Sequence, residues 1–303
     1  MNKAIKYVGI GVGGLVGLLL LTVGGVYAAS SSRMSKTFDV PNEQLESLVG
    51  NPEAIAAGEH NVASFTKCVD CHGEDLAGKL VIPGGPIGTI GGPNLTSGGT
   101  VIGKYADVND FENLVRHCVR PDGTTIRFMP CAEYNPLSDL EISQIHAYVL
   151  SKHAVTKENP PVTAGPLGRI LYLAGKMPMM NSAEVIDHSK AHIATPPPTA
   201  ATKEFGAHMA LGCSGCHRPN YEGGPIPGGD PSWAPAANLS NGPDGIGSWT
   251  EADFTKALRE GVRPDGTAIR EPMPIAATKR MTDEEISAVW LFLRDQPAVS
   301  DGK

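Results

Sequence analysis

Two short cysteine motifs carry the most recognisable chemistry in this sequence. Each has two cysteines two residues apart, followed at once by a histidine: Cys68, Cys71 and His72, then Cys213, Cys216 and His217. On a turn of helix, both thiols of such a motif can form thioethers to one haem while the adjacent imidazole reaches its iron. The sequence therefore predicts two covalently bound haem c groups, with His72 and His217 as iron ligands.

Two other uses of paired cysteines fit this sequence less well. A structural zinc site needs four ligands, and no further pair of Cys or His at zinc spacing recurs beside both motifs. A thioredoxin-like site would accompany a βαβ pattern, which the sequence lacks. Haem attachment remains the best interpretation.

The region that follows each motif is repeated. Matching features lie 143 to 145 positions apart, which predicts two copies of one ancestral unit. The matched segments are Asn94–Thr96 with Asn238–Ser240, Val119–Thr124 with Val262–Thr267, Met129–Pro130 with Met273–Pro274, and Ser138–Ile142 with Thr282–Ile286. We assign the units to residues 45–153 and 202–298.

Each unit is expected to open and close with a helix. The closing helices, Ser138 to Ser151 and Thr282 to Asp295, begin with a Ser or Thr followed three residues on by Glu, which is the order of a capping box. Apolar residues then recur at helical spacing. The opening helices are predicted from Pro52 to Lys67 and from Lys203 to Gly212.

A methionine occupies the same place in both units. Met129 and Met273 follow His72 and His217 by 57 and 56 residues, and a proline follows each. A thioether is a soft ligand that raises the reduction potential of a haem and, together with histidine, closes both axial positions. We predict that these two methionines bind iron. The alternative is a core methionine, which is how we interpret Met281.

Further matched residues are candidates for holding the haem. Buried propionates call for Arg, Tyr, Trp or amide donors, although each candidate could instead serve ordinary turn or surface chemistry. The candidates are Arg120 with Arg263, Tyr105 with Trp249, and Asn94 with Asn238. The second ring nitrogen of each histidine also needs a partner, for which the carbonyls of Pro83 and Pro227 are placed suitably in sequence.

Two cysteines and seven histidines have no counterpart across the repeat. Cys118 and Cys131 bracket the Met129 loop, and they either form a disulfide that clamps this loop or remain two buried thiols. The histidines are interpreted as surface or core residues rather than rival iron ligands. They are His60, His117, His146, His153, His188, His192 and His208.

The N-terminal segment is long and apolar enough to span a membrane. Val8 to Ala29 contains 22 residues without a charge, about the length of a helix that crosses a bilayer. Lys3 and Lys6 precede it, so the remainder is expected on the periplasmic side of a single-pass membrane protein. Alternatively, residues 1–30 are a cleaved signal peptide, because Val26 to Ala28 fits a peptidase site.

The composition limits the kinds of partner that this chain can have. The chain has 303 residues and a net charge of −7, and the absence of a basic run excludes a nucleic-acid partner.

Residues 154–201 connect the two units and are proline-rich at both ends, as in a semi-stiff linker. They also contain an apolar patch, from Leu167 to Met180, that could pack across the seam between the units, on a partner or on the membrane surface, and of these we favour the seam.

Together these motifs resemble a membrane-associated dihaem c-type cytochrome with two tandem class I cytochrome c domains. The stretch from Gly247 to Arg294 resembles the cytochrome subunits of periplasmic sugar and alcohol dehydrogenases, which usually carry three haems. The resemblance implies an all-α fold in which a glycine of the first helix packs on an aromatic residue of the last. The matching pairs would be Gly58 with Tyr148, and Gly206 with Phe292 or Trp290.

The resemblance also implies the function and the partners. The expected function is electron transfer without catalysis, from a dehydrogenase or quinol-oxidising complex to a soluble cytochrome or terminal oxidase. A dihaem peroxidase would also show two such motifs, but it needs an open iron. A sulfur-compound dehydrogenase would use an axial cysteine, for which Cys118 and Cys131 are available. A terminal oxidase subunit would share the mechanism and differ in its complex.

Overall fold

The structure is a computed structural model that describes residues 3–300 except 42, 228 and 231; Met1 and Asn2 of the expected anchor lie outside this range. The described chain is mostly helical. Its α-helices are α1 (Lys3–Met34), α2 (Pro52–Ala63), α3 (Cys68–His72), α4 (Val108–His117), α5 (Cys131–Tyr134), α6 (Asp139–Ser151), α7 (Pro166–Leu173), α8 (Lys203–His217), α9 (Glu251–Glu260), α10 (Ile275–Thr278) and α11 (Asp283–Asp295). Two 3₁₀ helices cover Ile102–Tyr105 and Pro178–Val185.

A small antiparallel sheet corrects the expectation of an all-α fold. Its strands are β1 (Lys79–Pro83), β2 (Gly88–Gly92) and β3 (Thr163–Ala164), in the order β1-β2-β3. Strands β1 and β2 form a hairpin after the first cysteine motif, and β3 comes from the linker. The linker is therefore joined to the first unit by backbone hydrogen bonds.

The closing helices are confirmed, and their caps explain where they begin. Helix α6 is capped by Ser138 and α11 by Thr282, and both have a complete capping box with Glu141 and Glu285. Each cap satisfies two backbone N–H groups at once. These local bonds do not depend on the rest of the fold, which is why sequence predicts them well.

Each closing helix packs on the opening helix of its own unit at a glycine. A Cβ atom added at Gly58 of α2 would lie 2.8 Å from Tyr148 Cβ, and one added at Gly206 of α8 would lie 2.9 Å from Phe292 Cβ. The helices thus approach too closely for any side chain at these positions. The glycine–aromatic contacts implied by the resemblance are present, with Phe292 rather than Trp290 in the second unit.

The two opening helices differ in where they end. Helix α2 stops at Ala63, and Lys67 adopts a left-handed conformation (φ 54°) before the short α3 begins at Cys68. Helix α8 instead continues without a break to His217. The first motif therefore stands on its own short helix, whereas the second forms the last turn of a long one.

Helix α1 is the one described helix with the length and composition to cross a membrane. Its apolar residues are largely exposed, but its last turns pack on the linker. Arg33 forms an ion pair with Glu184 at 2.8 Å, and the guanidinium of Arg169 lies 4.4 Å from the Tyr27 ring centre. The C-terminal end of α1 is thus fixed to the folded part.

The apolar patch of the linker does not lie at the seam between the units, contrary to our expectation. Tyr172, Met177 and Met180 form a small core with Met34 of α1 and Phe128 of the first unit. Leu167, Ile170 and Met179 remain exposed. The linker packs on the first unit because β3 already holds it there.

The seam itself is formed by the opening and closing helices of both units. Buried apolar residues from the two units belong to one continuous core cluster. Two histidines reach across it: His208 Nε2 lies 2.7 Å from Glu141 Oε1, and His60 Nε2 lies 2.8 Å from Glu285 Oε1. The glutamate that caps each closing helix therefore also pairs with a histidine on the other unit's opening helix.

Candidate cofactor-binding site

The first motif presents two thiols and an oriented imidazole. Cys68, Cys71 and His72 all lie on α3, and both cysteines are free thiols. His72 Nδ1 donates to the carbonyl oxygen of Pro93 at 2.9 Å. A carbonyl can only accept, so Nε2 is the ring nitrogen left to bind a metal. The carbonyl of Pro83 does not serve, because Pro83 lies in β1 and the chain returns to the histidine only after the β-hairpin.

The second motif repeats this arrangement at the end of α8. His217 Nδ1 donates to the carbonyl oxygen of Ala237 at 2.7 Å. Pro227, the expected partner, is again too early in the chain. Burial lowers the pKa of both His72 and His217, which favours the neutral imidazole that binds iron.

Asn94 and Asn238 follow these two carbonyls, and their side chains bond to the backbone. Asn94 Nδ2 donates to Val155 O at 2.7 Å, and its Oδ1 accepts from the backbone N–H of Thr96 at 2.9 Å. Asn238 makes the matching bonds to Val299 O and Ser240 N, both at 2.8 Å. Both amides thus shape the turn that presents a carbonyl to each histidine, and their contact with a cofactor stays a prediction.

A cavity of about 520 Å³ opens beside the first motif. Cys68, His72 and Met129 all line it, which brings together the predicted attachment and axial groups. Tyr105 and Arg120 line it too, while most of the wall is apolar. The apolar lining residues include Leu95, Val101, Phe111, Leu114, Val115, Leu137, Ile145 and Val149.

A second, smaller cavity of about 150 Å³ lies beside the second motif. It has the same kinds of lining groups, namely thiols, an imidazole and a thioether. They are Cys213, Cys216, His217 and Met273, together with Trp249 and Arg263. Met281, expected in the core, belongs to the core cluster and also touches this cavity.

The loop that carries Met129 is held on both sides. Cys118 and Cys131 form the disulfide that was one of two expectations, with a Cα–Cα distance of 5.6 Å. From the linker, Ser182 Oγ donates to Met129 O at 2.7 Å. Because both sulfurs are bonded to each other, neither cysteine offers a thiolate to iron, which removes the basis for a sulfur-compound dehydrogenase.

The four free thiols are in surroundings that disfavour the thiolate. Burial raises the pKa of Cys68 to about 11, and burial also raises the pKa of Cys71, Cys213 and Cys216. Such thiols are poor nucleophiles at neutral pH. Their environment fits covalent attachment to a cofactor better than thiol–disulfide exchange.

Sequence reasoning missed several cavity residues. Arg127 lines the first cavity and Arg270 the second, and each lies two or three residues before the methionine predicted to bind iron. That shared position was visible in the repeat and could have marked them. Phe65 and Lys67 of the first unit line the second cavity, for which the sequence carried no signal.

The donor set and the shape of both sites fit haem c. An imidazole and a thioether line each apolar cavity, with the thiol of Cys68 in the first and those of Cys213 and Cys216 in the second; Cys71 lies on α3 beside the first. Arginine side chains in each lining could bind a carboxylate. Among the described residues, His72 and His217 are the histidines that line these cavities, so the remaining seven offer no competing ligand.

Comparison with known proteins agrees with this chemistry. Residues 205–297 match the cytochrome c family. The second unit contains a cytochrome c domain. The chain is also homologous to the cytochrome c subunit of a quinone-dependent alcohol dehydrogenase from Gluconobacter oxydans (strain 621H), with 29% identity over 278 residues, 82% of this chain and 56% of the relative.

Other cytochrome subunits align over similar lengths. The corresponding alcohol dehydrogenase subunit from Gluconacetobacter polyoxogenes is 31% identical over 267 residues, 78% of this chain and 55% of the relative. The fructose dehydrogenase cytochrome subunit from Gluconobacter japonicus is 29% identical over 287 residues, 86% of this chain and 56% of the relative. The chain thus spans little more than half the length of these relatives.

Proposed function

We propose that this chain is a dihaem electron-transfer subunit, anchored in a membrane and serving a dehydrogenase. Each unit would hold one haem c, through Cys68, Cys71, His72 and Met129 in the first and Cys213, Cys216, His217 and Met273 in the second. Bound haem c supplies a one-electron iron couple. The protein's part is to attach it, to fill both axial positions, and to keep water and small molecules away from it.

The main support for this proposal is that one stretch of chain lines both cavities. Along residues 65–68, successive side chains line the two cavities in turn: Phe65 and Lys67 the second, Thr66 and Cys68 the first. Lys67 Nζ also donates to Gly212 O at 2.6 Å, directly before Cys213. A single stretch of chain thus separates the two sites, which suits transfer between them.

The axial methionines favour electron transfer over catalysis. A dihaem peroxidase needs one iron that is open to peroxide, whereas a methionine lines each cavity together with its histidine. The Met129 loop is held by a disulfide and by Ser182, so it is poorly suited to swing away. We infer that both sites are closed to small ligands.

The spectrum of the purified full-length protein tests this proposal. We expect two haems per chain by haemochrome assay and a methionine-to-iron charge-transfer band in the ferric state. Met129→Ala and Met273→Ala should each remove that band from one haem and leave the other unchanged. High-spin ferric signals in the wild type, rapid carbon monoxide binding without unfolding, or fast peroxide turnover would overturn it.

The donor is inferred from the relatives rather than from a surface of this chain. Three of them are named as cytochrome subunits of alcohol, fructose and gluconate dehydrogenases. We expect a dehydrogenase to co-purify in mild detergent and to reduce the haems when its substrate is added. Co-purification with a terminal oxidase instead would assign the chain to a different complex, with the same electron-transfer mechanism.

A further inference from the structure

A buried cluster of two histidines and a glutamate lies away from both cofactor cavities. Glu112 and His117 come from α4, and His192 comes from the linker. One potential ligand atom of each lies within 4.8 Å of the others, and all three side chains are almost completely buried. We propose that this cluster binds a zinc ion that holds the linker on the first unit.

The hydrogen bonds around His117 leave one ring nitrogen directed at the cluster, with no partner in the part of the chain that the structure describes. His188 Nε2 must donate to the carbonyl oxygen of Ala183, 3.0 Å away, so His188 Nδ1 is an acceptor. His117 Nδ1 therefore donates to His188 Nδ1 at 2.9 Å. In a neutral His117, Nε2 is then a lone pair; it has no hydrogen-bond partner among the described residues and lies 3.5 Å from Glu112 Oε1.

A lone pair facing a carboxylate in the interior is unfavourable unless a cation lies between them. Two ligands bound tetrahedrally to zinc at ~2.0–2.1 Å are about 3.3 Å apart. The observed separation of 3.5 Å is close to this value. The second oxygen of Glu112, Oε2, is also buried and has no partner in the described chain.

His192 is oriented in the way that metal-binding histidines usually are. Its Nδ1 donates to the carboxylate of Glu43 at 2.8 Å, which leaves Nε2 as the acceptor nitrogen. His192 Nε2 accepts a hydrogen bond from Asn135 Nδ2 at 3.3 Å, and the same Nδ2 also donates to Arg116 O at 3.4 Å. This contact is long enough for a metal to replace it.

The charges around the cluster also call for a cation. Arg116 is fully buried and pairs with Glu43 at 2.7 Å, with Glu112 at 3.3 Å and with Asp139 at 2.8 Å. One guanidinium thus faces three carboxylates, and with neutral histidines two negative charges remain. A divalent ion would balance them, and mixed imidazole and carboxylate ligands suit zinc better than calcium or magnesium.

The position of the cluster suggests what the ion would do. Its ligands join α4 to residues 188–192 of the linker, and an earlier part of that linker bonds to the Met129 loop through Ser182. Zinc would therefore fix the linker that supports this loop. This inference concerns metal content and does not depend on the haems or on their partners.

Metal analysis of the purified full-length protein provides the test. After equilibration with Zn²⁺ and removal of excess, we expect about one zinc per chain, and X-ray absorption at the zinc edge should show imidazole and oxygen ligands without sulfur. His117→Gln should reduce bound zinc by roughly tenfold or more. His153→Gln removes an exposed histidine outside the cluster and should leave zinc unchanged.

The outcomes separate the zinc site from its alternatives. Wild-type protein that takes up no zinc would overturn the proposal and indicate a protonated His117 in the same space. Zinc bound through sulfur would place the ion on unattached cysteines and would also overturn it. If His117→Gln does not fold, the absorption spectrum of the wild type still decides, because it reports the ligands directly.

Discussion

Asn94 and Asn238 each act on a proposed iron ligand that they do not touch. Each fixes the turn whose preceding carbonyl accepts from the histidine Nδ1. With haem bound, that hydrogen bond would make the imidazole a stronger electron donor and would stabilise ferric iron. Asn94→Ala should loosen it and raise the potential of the first haem; ~0.5–1.5 kcal/mol corresponds to about 20–60 mV for one electron.

The second unit supplies the matched variant for this prediction. Asn238→Ala should shift the other couple by a similar amount, so a redox titration of both variants would also assign the two potentials. Potentials that stay at their wild-type values in both variants would show that the turn does not depend on the asparagine.

Because of His60, we expect the stability contributed by the seam between the units to depend on pH. Its hydrogen bond to Glu285 raises the pKa of His60 above its usual value of 6.5, against the opposing effect of burial. A raised pKa in the folded state means that the pair stabilises the protein fully below the unfolded value. This stabilisation is lost as the pH rises through the folded-state pKa.

Thermal unfolding of His60→Gln should reveal this pH dependence. The wild type should exceed the variant in melting temperature by more at about pH 6 than at about pH 8.5. His153→Gln is the control, because this exposed histidine forms no hydrogen bond or ion pair across the seam among the described residues and should leave the pH profile as in the wild type. An equal difference at both pH values would contradict the assignment.

At the scale of the helices, the close glycine contacts limit what the sequence can tolerate. Gly206→Ala would force a methyl group against Phe292 and the backbone of α11. We expect it to destabilise the second unit by roughly 1–3 kcal/mol or more, because neither helix can move without disturbing the core. Thermal unfolding measures this loss.

Gly103 provides the control for this substitution. A Cβ atom added there meets nothing within 4 Å. Gly103→Ala should therefore change stability little, within about 0.5 kcal/mol. Gly58→Ala should resemble Gly206→Ala, since Gly58 faces Tyr148 in the same way.

The elements that sequence predicted correctly are those defined by local bonds. The capping boxes at Ser138 and Thr282 and the helical spacing behind them need only neighbouring residues. The β-sheet was missed because β2 pairs with Thr163, far along the chain. The carbonyl partners of the histidines were also predicted wrongly, because the spacing of residues along the chain does not reveal the β-hairpin after the first motif.

At the scale of the whole molecule, the contacts at the end of α1 predict that the N-terminal helix is retained rather than cleaved. Tyr27 lies beneath the guanidinium of Arg169, and Arg33 pairs with Glu184, so the folded part holds the helix on both sides of the possible cleavage site. We expect the mature chain to retain its N-terminal helix and to require detergent for extraction. Intact mass measurement decides this, and a mature chain that begins near Ala29 would contradict it.

The candidate site itself was only partly visible in the sequence. The cysteine motifs, histidines and methionines follow from residue type and spacing, and the structure gathers them around two cavities. Phe65 and Lys67 of the first unit line the cavity of the second unit. Their position there depends on how the two units dock. Docking is set by the shared core and by the two histidine–glutamate pairs, for which no local pattern exists.

The disulfide has a consequence for how the protein is assembled. It uses two of the six cysteines, and the remaining four stand in the two motifs. If both motifs attach a haem as proposed, Cys118 and Cys131 must be oxidised during maturation while the other four cysteines stay reduced until attachment. A finished chain would then carry no reactive thiol, so the uptake of a maleimide dye by the denatured protein would count the molecules whose biogenesis stopped early.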